Sequence, residues 1–293
     1  MKAIVFGING QDGFYLKQLL ENQGITCVGV SRSDGNWTQG DVVNTNFVEA
    51  LIKQQQPNYV FHLAANSTTR HEALFENHHT ISTGTLNVLE AVKNHCPNCR
   101  VFISGSAMQF KNNGLPIDEN TAFEGSSPYS VSRIQSVYAA RYYREKFGIQ
   151  TYVGYFFNHD SPFRTERHVN QKIVQAALRM AAGSKEVLAL GNIEVQKEFT
   201  FAGDVAAAIW TLVQQKGVSE CVIGSGKAYS IAQWLDICFT QLKLDWHTRV
   251  QLHDNFQAEY HILVSNPARI KSLGWTPIIG IEALADMMLN FKN

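Results

Sequence analysis

The chain has 293 residues, 45% of them apolar, enough for one large core or two closely packed ones. Its 25 basic and 25 acidic side chains cancel, so no net field draws it to nucleic acid or to an anionic membrane. No apolar run approaches the ~20 residues that span a bilayer, and no charged leader precedes the first strand, so a cytoplasmic protein is expected.

In chain order, residues 3–6 form an apolar, β-branched run followed by an amphipathic stretch at 15–22. Residues 26–30 read as a second strand. Helix-like 46–55 leads to strand-like 59–63, 84–94 to 101–104, and 130–147 to 150–154. This alternation implies parallel strands joined by crossover helices, an α/β doubly wound parallel sheet of the Rossmann type over residues 1–155. Beyond it the pattern loosens: 158–167 and 191–197 are loop-like, and 169–182 is a helix candidate. Residues 156–293 are expected to form a smaller, interleaved substrate-binding lobe over the carboxyl ends of the strands, where open parallel sheets bind ligands. The helix-like 203–215 and strand-like 221–223, within 200–225, read as elements returning to the first domain.

Five cysteines in a chain of this length with no export signal point to reduced thiols. Cys96-Pro97-Asn98-Cys99 has the spacing of a metal or redox pair, but without a second pair it reads as a loop ending a helix. His78 and His79 lack companions at ligand spacing, so no metal is expected. Asp204, just after Gly203, suits the start of a helix, where an acid favours the dipole. Trp210, Trp234, Trp246 and Trp275 read as packing residues.

The first strand runs straight into Gly7, Gly10 and Gly13. Glycines let the backbone turn sharply and approach a phosphate, while the following helix offers unpaired N–H groups. Gly7, Asn9, Gly10, Gln11, Asp12 and Gly13 are therefore the expected pyrophosphate-binding stretch of a dinucleotide site. At the end of the second strand, Val30-Ser31-Arg32-Ser33 carries no acid for a bare ribose but an Arg suited to a 2'-phosphate. Ser31 and Arg32 thus favour NADP(H), with NAD(H) possible. Downstream, Tyr129 and Arg133 are four residues apart, on one helical face. A phenol titrates near ~10, and a cation one turn away favours its ionised form.

With Ser106, Tyr129 and Arg133 in hand, the chain resembles the extended short-chain dehydrogenase/reductases, specifically the NAD-dependent epimerase/dehydratase family acting on nucleotide sugars. It looks closest to GDP-mannose 4,6-dehydratases and GDP-6-deoxy-hexose 4-keto reductases. The resembling strings are Gly10-Gln11-Asp12-Gly13, His62-Leu63-Ala64-Ala65, residues 84–91, Ser127-Pro128-Tyr129 and above all Phe157-Asn158-His159-Asp160-Ser161-Pro162. The resemblance implies that Asp41 and Val42 contact adenine and that Leu63, Ala64 and Ala65 line the cofactor cleft. It implies a substrate set of Ser67, Ser106, Met108, Asn158, Arg164, Val169, Lys172, Lys197 and Glu259. Lys197 falls where the dehydratases carry an Arg for pyrophosphate, and Phe256 where they carry another.

Two departures fall on the chemistry. The dehydratases read Thr-x-Glu after the fourth strand of the alternation, where this chain has Ser106-Ala107-Met108. A thioether exchanges no proton, so elimination of water lacks its acid/base group. Arg133 stands where the family carries Lys; it keeps its charge and can hydrogen bond ribose hydroxyls, but it cannot join a proton relay. The expected enzyme is an NADP(H)-dependent reductase of a nucleotide-linked, GDP-favoured, 4-keto-6-deoxy sugar. Hydride goes to C4, Tyr129 gives the proton and Ser106 hydrogen bonds the oxygen. Alternatives are a 4,6-dehydratase, an epimerase or dehydrogenase that retains its cofactor, and a non-catalytic NADP(H)-binding scaffold. Tyr138, Tyr142 and Tyr143 suit an interface, so the resemblance implies a homodimer through 84–94 and 130–147. His159 is expected to order its loop.

Overall fold

The first half of the chain forms β1 (Lys2–Phe6), α1 (Gln11–Asn22), β2 (Thr26–Ser31), β3 (Thr38–Gln39), α2 (Thr45–Gln55), β4 (Tyr59–His62), α3 (Leu74–Asn77), α4 (Gly84–His95), β5 (Arg100–Ser106), α5 (Pro128–Phe147) and β6 (Gln150–Phe156). The second half adds β7 (His159–Asp160), α6 (Val169–Ala181), β8 (Leu188–Leu190), β9 (Gln196–Glu198), β10 (Thr200–Phe201), α7 (Ala202–Val213) and β11 (Glu220–Ile223). It closes with β12 (Ala228–Ser230), α8 (Ile231–Gln241), β13 (Val250–Leu252), β14 (Ile262–Leu263), α9 (Ala268–Ser272) and α10 (Ile281–Leu289). The structure, a computed structural model, describes residues 1–253 and 258–291. No helix among them is long and apolar enough to cross a membrane.

Seven strands pair in parallel in the order β11-β6-β5-β4-β1-β2-β3. The winding reverses between β1 and β4, and a ligand crevice opens outside the carboxyl ends of strands at such a point. Because side chains alternate across a strand, β1 feeds two cores. Ile4 and Phe6 join Val60, Ile103, Val88 and Val137 under α2, α4 and α5, while Ala3 and Val5 join Phe61, Leu16, Ile209 and Leu212 under α1 and α7. Both faces are covered, which is why these strands read as continuous apolar runs. A third core packs α6, α8 and α10 around Ile173, Trp234 and Leu284. Burying each such side chain contributes roughly 1.5–3 kcal/mol.

Three local readings differ from the pattern-based ones. Helix α1 begins at Gln11 because Gly10 is its N-cap, so its polar first turn escapes a search for apolar periodicity. The loop-like 158–167 contains β7, which pairs with β10. Asp204 lies in the first turn of α7, behind the N-cap Phe201, but its carboxylate is used outside the helix. Its carboxylate accepts from the amides of Ile278 and Ile279, each at 3.0 Å, and its carbonyl accepts from the Trp275 indole at 2.8 Å. Burial pushes the Asp204 carboxyl upward while it fastens the C-terminal segment to α7.

Candidate active site

The turn after β1 is shaped by contacts that no side chain would survive. Gly7 has φ +89°, and a Cβ there would lie 2.7 Å from the Ala64 amide nitrogen. At Gly13 a Cβ would lie 2.4 Å from the Gly7 carbonyl oxygen, so helix and strand close up only on glycine. Gly10 contributes no capping side chain, which leaves first-turn amides of α1 available to an anion.

This turn forms one wall of a cleft of about 330 Å³. Gly7, Asn9 and Gly10 line it, with Ser31 and Arg32 at the end of β2, Asp41 and Val42 beyond β3, and Leu63, Ala64 and Ala65 after β4. Ten of the residues assigned to the cofactor thus converge on one crevice at the switch point, and its volume suits a ligand. Ser33, Gly40 and Thr80 also line it, unsignalled by any motif. The Ser31 and Ser33 hydroxyls lie 3.1 Å apart, and Asn9 Nδ2 donates to Ser33 at 3.3 Å. Arg32 is exposed and pairs with Glu76 of α3 at 3.2 Å, while Asn66 donates to the other Glu76 oxygen at 2.8 Å. These features fit a dinucleotide: a glycine turn, uncapped helix amides, and hydroxyl and guanidinium donors at the far end.

Gln11 and Asp12 turn their side chains elsewhere. Gln11 donates to the His159 carbonyl at 3.3 Å and accepts from Ser161 at 2.9 Å. Asp12 pairs with His159 Nε2 at 2.8 Å, and His159 Nδ1 donates to the Phe157 carbonyl at 2.7 Å. Burial opposes both charges, yet their mutual attraction prevails: Asp12 is held below and His159 above its ordinary range. The resembling string at 157–162 is therefore docked onto the start of α1.

Ser106, Tyr129 and Arg133 do not line the cleft; they stand together where β5 ends and α5 begins. Ser106 ends β5 and caps the turn Ala107–Gln109: its Oγ accepts from the Met108 amide at 3.2 Å, and Gln109 returns a bond to the Ser106 amide at 2.9 Å. Accepting leaves the Ser106 hydroxyl proton free to be donated. Met108 is half-buried and packs against the apolar core. Pro128 and a Ser127–Ser130 capping box start α5, placing Tyr129 in its first turn and Arg133 one turn on, both buried. The guanidinium lies over the Tyr129 ring, 5.1 Å from its centroid. Arg133 Nη1 donates to the Ser104 carbonyl and, at 2.7 Å, to the Ser104 hydroxyl, while its buried Nε has no partner among the described residues. Arg133 thus ties α5 to β5 two residues before Ser106. Farther along, Glu220 of β11 grips α5 through Arg141 at 2.7 Å and Arg144 at 3.2 Å, and accepts from Tyr155 at 2.6 Å. Burial works against the Glu220 carboxylate, but these donors hold it down at about 2.

His62 was visible in the sequence only as part of a resembling string. It is buried at the end of β4, with Thr80 and Ile81 carbonyls nearby but no well-aligned partner for either ring nitrogen. Burial, then the charge of Arg133, push it down to about 4, so it stands neutral beside the guanidinium.

The residues assigned to the sugar nucleotide are less uniformly placed. Arg164 donates to Asp160 at 3.1 Å, and Asn170 also donates to Asp160. Lys197 is buried in the same group; burial lowers it to about 8, partly offset by Asp160. His168, unmarked in the sequence, is pushed to about 4 by burial and by Arg164. Val169 opens α6. Lys172 is committed to the Ala189 carbonyl at 2.7 Å, on the β8 side of α6. Asn158 accepts from the Tyr260 hydroxyl at 3.4 Å, Glu259 accepts from Thr69, and Ser67 is exposed on the loop after β4. Phe256 lies outside the described residues. His78 and His79 are exposed, and the described residues hold no group of three or more metal-ligating side chains.

Comparison with known proteins follows this geometry. A family model described as GDP-mannose 4,6 dehydratase matches residues 4–288. GDP-mannose 4,6 dehydratase 1 of Arabidopsis thaliana is 31% identical over 322 residues, covering 98% of this chain and 88% of that protein. The GDP-mannose 4,6-dehydratase of Yersinia enterocolitica is 27% identical, with 98% and 92% covered. Among solved structures, RMD from Pseudomonas aeruginosa, complexed with NADPH, has a TM-score of 0.86 at 21% identity, covering 98% of this chain and 96% of that one. The UDP-glucose 4-epimerase of Thermus thermophilus, complexed with NAD, has a TM-score of 0.87 at 16% identity, covering 99% of both chains. These two likenesses establish the fold.

Proposed function

The chain belongs to the GDP-mannose 4,6 dehydratase family, among the NAD(P)-dependent extended short-chain dehydrogenases/reductases that act on nucleotide sugars, and from that premise we propose that it reduces the C4 ketone of a nucleotide-linked 4-keto-6-deoxy sugar, GDP favoured. One observation carries the reading: Arg133 stacks on Tyr129 and ties α5 to Ser104, two residues before Ser106, while Met108 packs against apolar core where the resemblance gives the dehydratases a carboxylate. Oxygen protonation and hydrogen bonding are provided for, and elimination is not.

A nicotinamide bound in the cleft would supply the hydride. The Tyr129 hydroxyl passes its proton to the carbonyl oxygen as charge builds there. The Ser106 hydroxyl donates to the same oxygen, and a positioned donor of this kind stabilises developing charge. Arg133 keeps its charge and holds the start of α5 against β5. Lys197 and Arg164 would hold diphosphate oxygens. NADP(H) is preferred in this reading because Ser31, Arg32 and Ser33 supply donors for a 2'-phosphate.

Incubation of the purified protein with GDP-4-keto-6-deoxy-mannose and NADPH tests the proposal: stoichiometric NADPH oxidation is expected. Turnover of GDP-mannose without net NADPH consumption would identify a dehydratase instead. Cofactor binding with no turnover of either sugar, or of the dTDP and CDP ketones, would identify a binding protein. We further propose a homodimer through α4 and α5, whose Leu86, Val131, Tyr138 and Tyr142 are exposed. Light scattering after size exclusion distinguishes one subunit from two.

A further inference from the structure

Away from the cleft, the turn between α4 and β5 brings two thiols together. Cys96 is the C-cap residue of α4, and the Cys99 amide donates to the Cys96 carbonyl at 2.8 Å, closing a four-residue turn around Pro97-Asn98. A turn of this kind holds its end Cα atoms within about 7 Å, and disulfides span Cα separations of about 4.4–6.8 Å. The Cys99 thiol donates to the Arg100 carbonyl at 3.6 Å, so it remains a thiol on the same turn as Cys96.

The two positions are unequal. Cys96 is half-buried and reachable from solvent, whereas Cys99 is only 2% exposed. The neighbouring Cys99 sulfur holds the Cys96 thiol below its usual range, and proximity to Cys96, with burial, drives Cys99 upward. A metal does not explain the pair, because a structural zinc site needs four ligands and the described residues supply no cluster of even three. What the geometry does provide is a solvent-reachable sulfur with a second, buried sulfur across the same closed turn, within the Cα span a disulfide needs.

We propose that Cys96 and Cys99 form an oxidisable dithiol, with Cys96 attacking and Cys99 resolving, that takes a low-molecular-weight disulfide as its co-reactant. The Cys96 thiolate attacks one sulfur of that disulfide, whose S–S bond breaks and releases one thiol. Cys99 then gives up its proton and bonds to Cys96 Sγ, expelling the second thiol. The protein loses two electrons and two protons, and the co-reactant gains them as two thiols.

Oxidised glutathione serves as the probe, applied to the folded full-length chain, followed by acid quench, unfolding, alkylation and peptide mapping. In the wild type, two of the five cysteines should become unavailable to alkylation, and the peptide carrying both should lose two hydrogen masses. Cys99→Ser should stop at a glutathione adduct on Cys96, and Cys96→Ser should remain unmodified at Cys99. Five alkylated cysteines in the treated wild type, a persistent adduct on its Cys96, or oxidation of Cys99 in Cys96→Ser would each overturn the assignment. Thermal melts report whether the variants fold. The wild-type map and exposed-site Cys96→Ser decide the matter if buried Cys99→Ser does not.

Discussion

At one end of the candidate site the surfaces are made by backbone, at the other by side chains. Gly7 against Ala64 and Gly13 against Gly7 set the dinucleotide end through contacts that exclude a Cβ. Ser106, Met108, Tyr129 and Arg133 set the other end through groups that a single codon can exchange. The backbone end carries glycines at 7, 10 and 13, while the side-chain end has Met108 and Arg133 where the resemblance implies an acid and a Lys. A fold can keep its cofactor geometry while its chemistry is rewritten, because the two are held by different atoms.

Replacing the proton donor attacks the side-chain end directly. Tyr129→Phe should lower kcat by about 10²–10⁴-fold while cofactor affinity persists, because general acid catalysis is worth that much. Turnover retained in that variant, measured with cofactor titrations alongside, would show that the proton comes from elsewhere.

Beside the glycine turn, the Asp12–His159 pair docks the 157–162 string onto α1. His159 is raised, so its contribution is complete below the ordinary histidine range near ~6.5 and fades as pH rises through its folded-state value. Asp12 is lowered, so its contribution holds above the ordinary carboxyl range near ~3.9 and fades as pH falls. Between those limits His159→Gln should cost roughly 1.5–3 kcal/mol, as hydrogen bonds to charged groups do. The deficit should shrink in alkaline solution. Urea midpoints for both proteins at about pH 6 and pH 9 check this, and an equal deficit at both would mean the pair is not charged.

At the backbone end the side chains tune rather than build. Arg32→Ala should weaken NADPH about tenfold and leave NADH nearly unchanged, the size of one charge-assisted contact; equal losses by fluorescence titration would defeat the 2'-phosphate assignment. Glu76→Gln frees Arg32 from its exposed partner and should tighten NADPH by no more than about fivefold, the ceiling for a surface pair. Lys197 offers a pH handle on the sugar end: KM for the sugar nucleotide should rise as pH passes about 8, where the ammonium discharges. Lys197→Met should flatten that profile.

Much of the fold was legible because parallel strands buried on both faces leave unmistakable apolar runs, as at β1, β4 and β5. Boundaries were less so: Gln11 begins α1 behind a glycine cap, and β7 hides in a polar string because only its partner β10 makes it a strand. In the site, Gly7, Ser106, Tyr129 and Arg133 were readable from spacing and resemblance. His62, His168 and Glu76 were not, since their roles depend on neighbours distant in sequence: Arg133, Arg164 and Arg32.

The linear pattern by itself determined the α/β winding, the glycine turn, the phenol-cation pair on one helical face and the thioether at 108. These are local properties, carried by periodicity and by the chemistry of single side chains. Only the tertiary structure decided that Asp12 faces His159 rather than the cleft, that Asp204 secures the C-terminal segment, that Lys172 turns toward β8, and that Cys99 is buried while Cys96 stays reachable. Each of those depends on which buried polar group finds its partner, and in a packed interior that is settled by the elements around it.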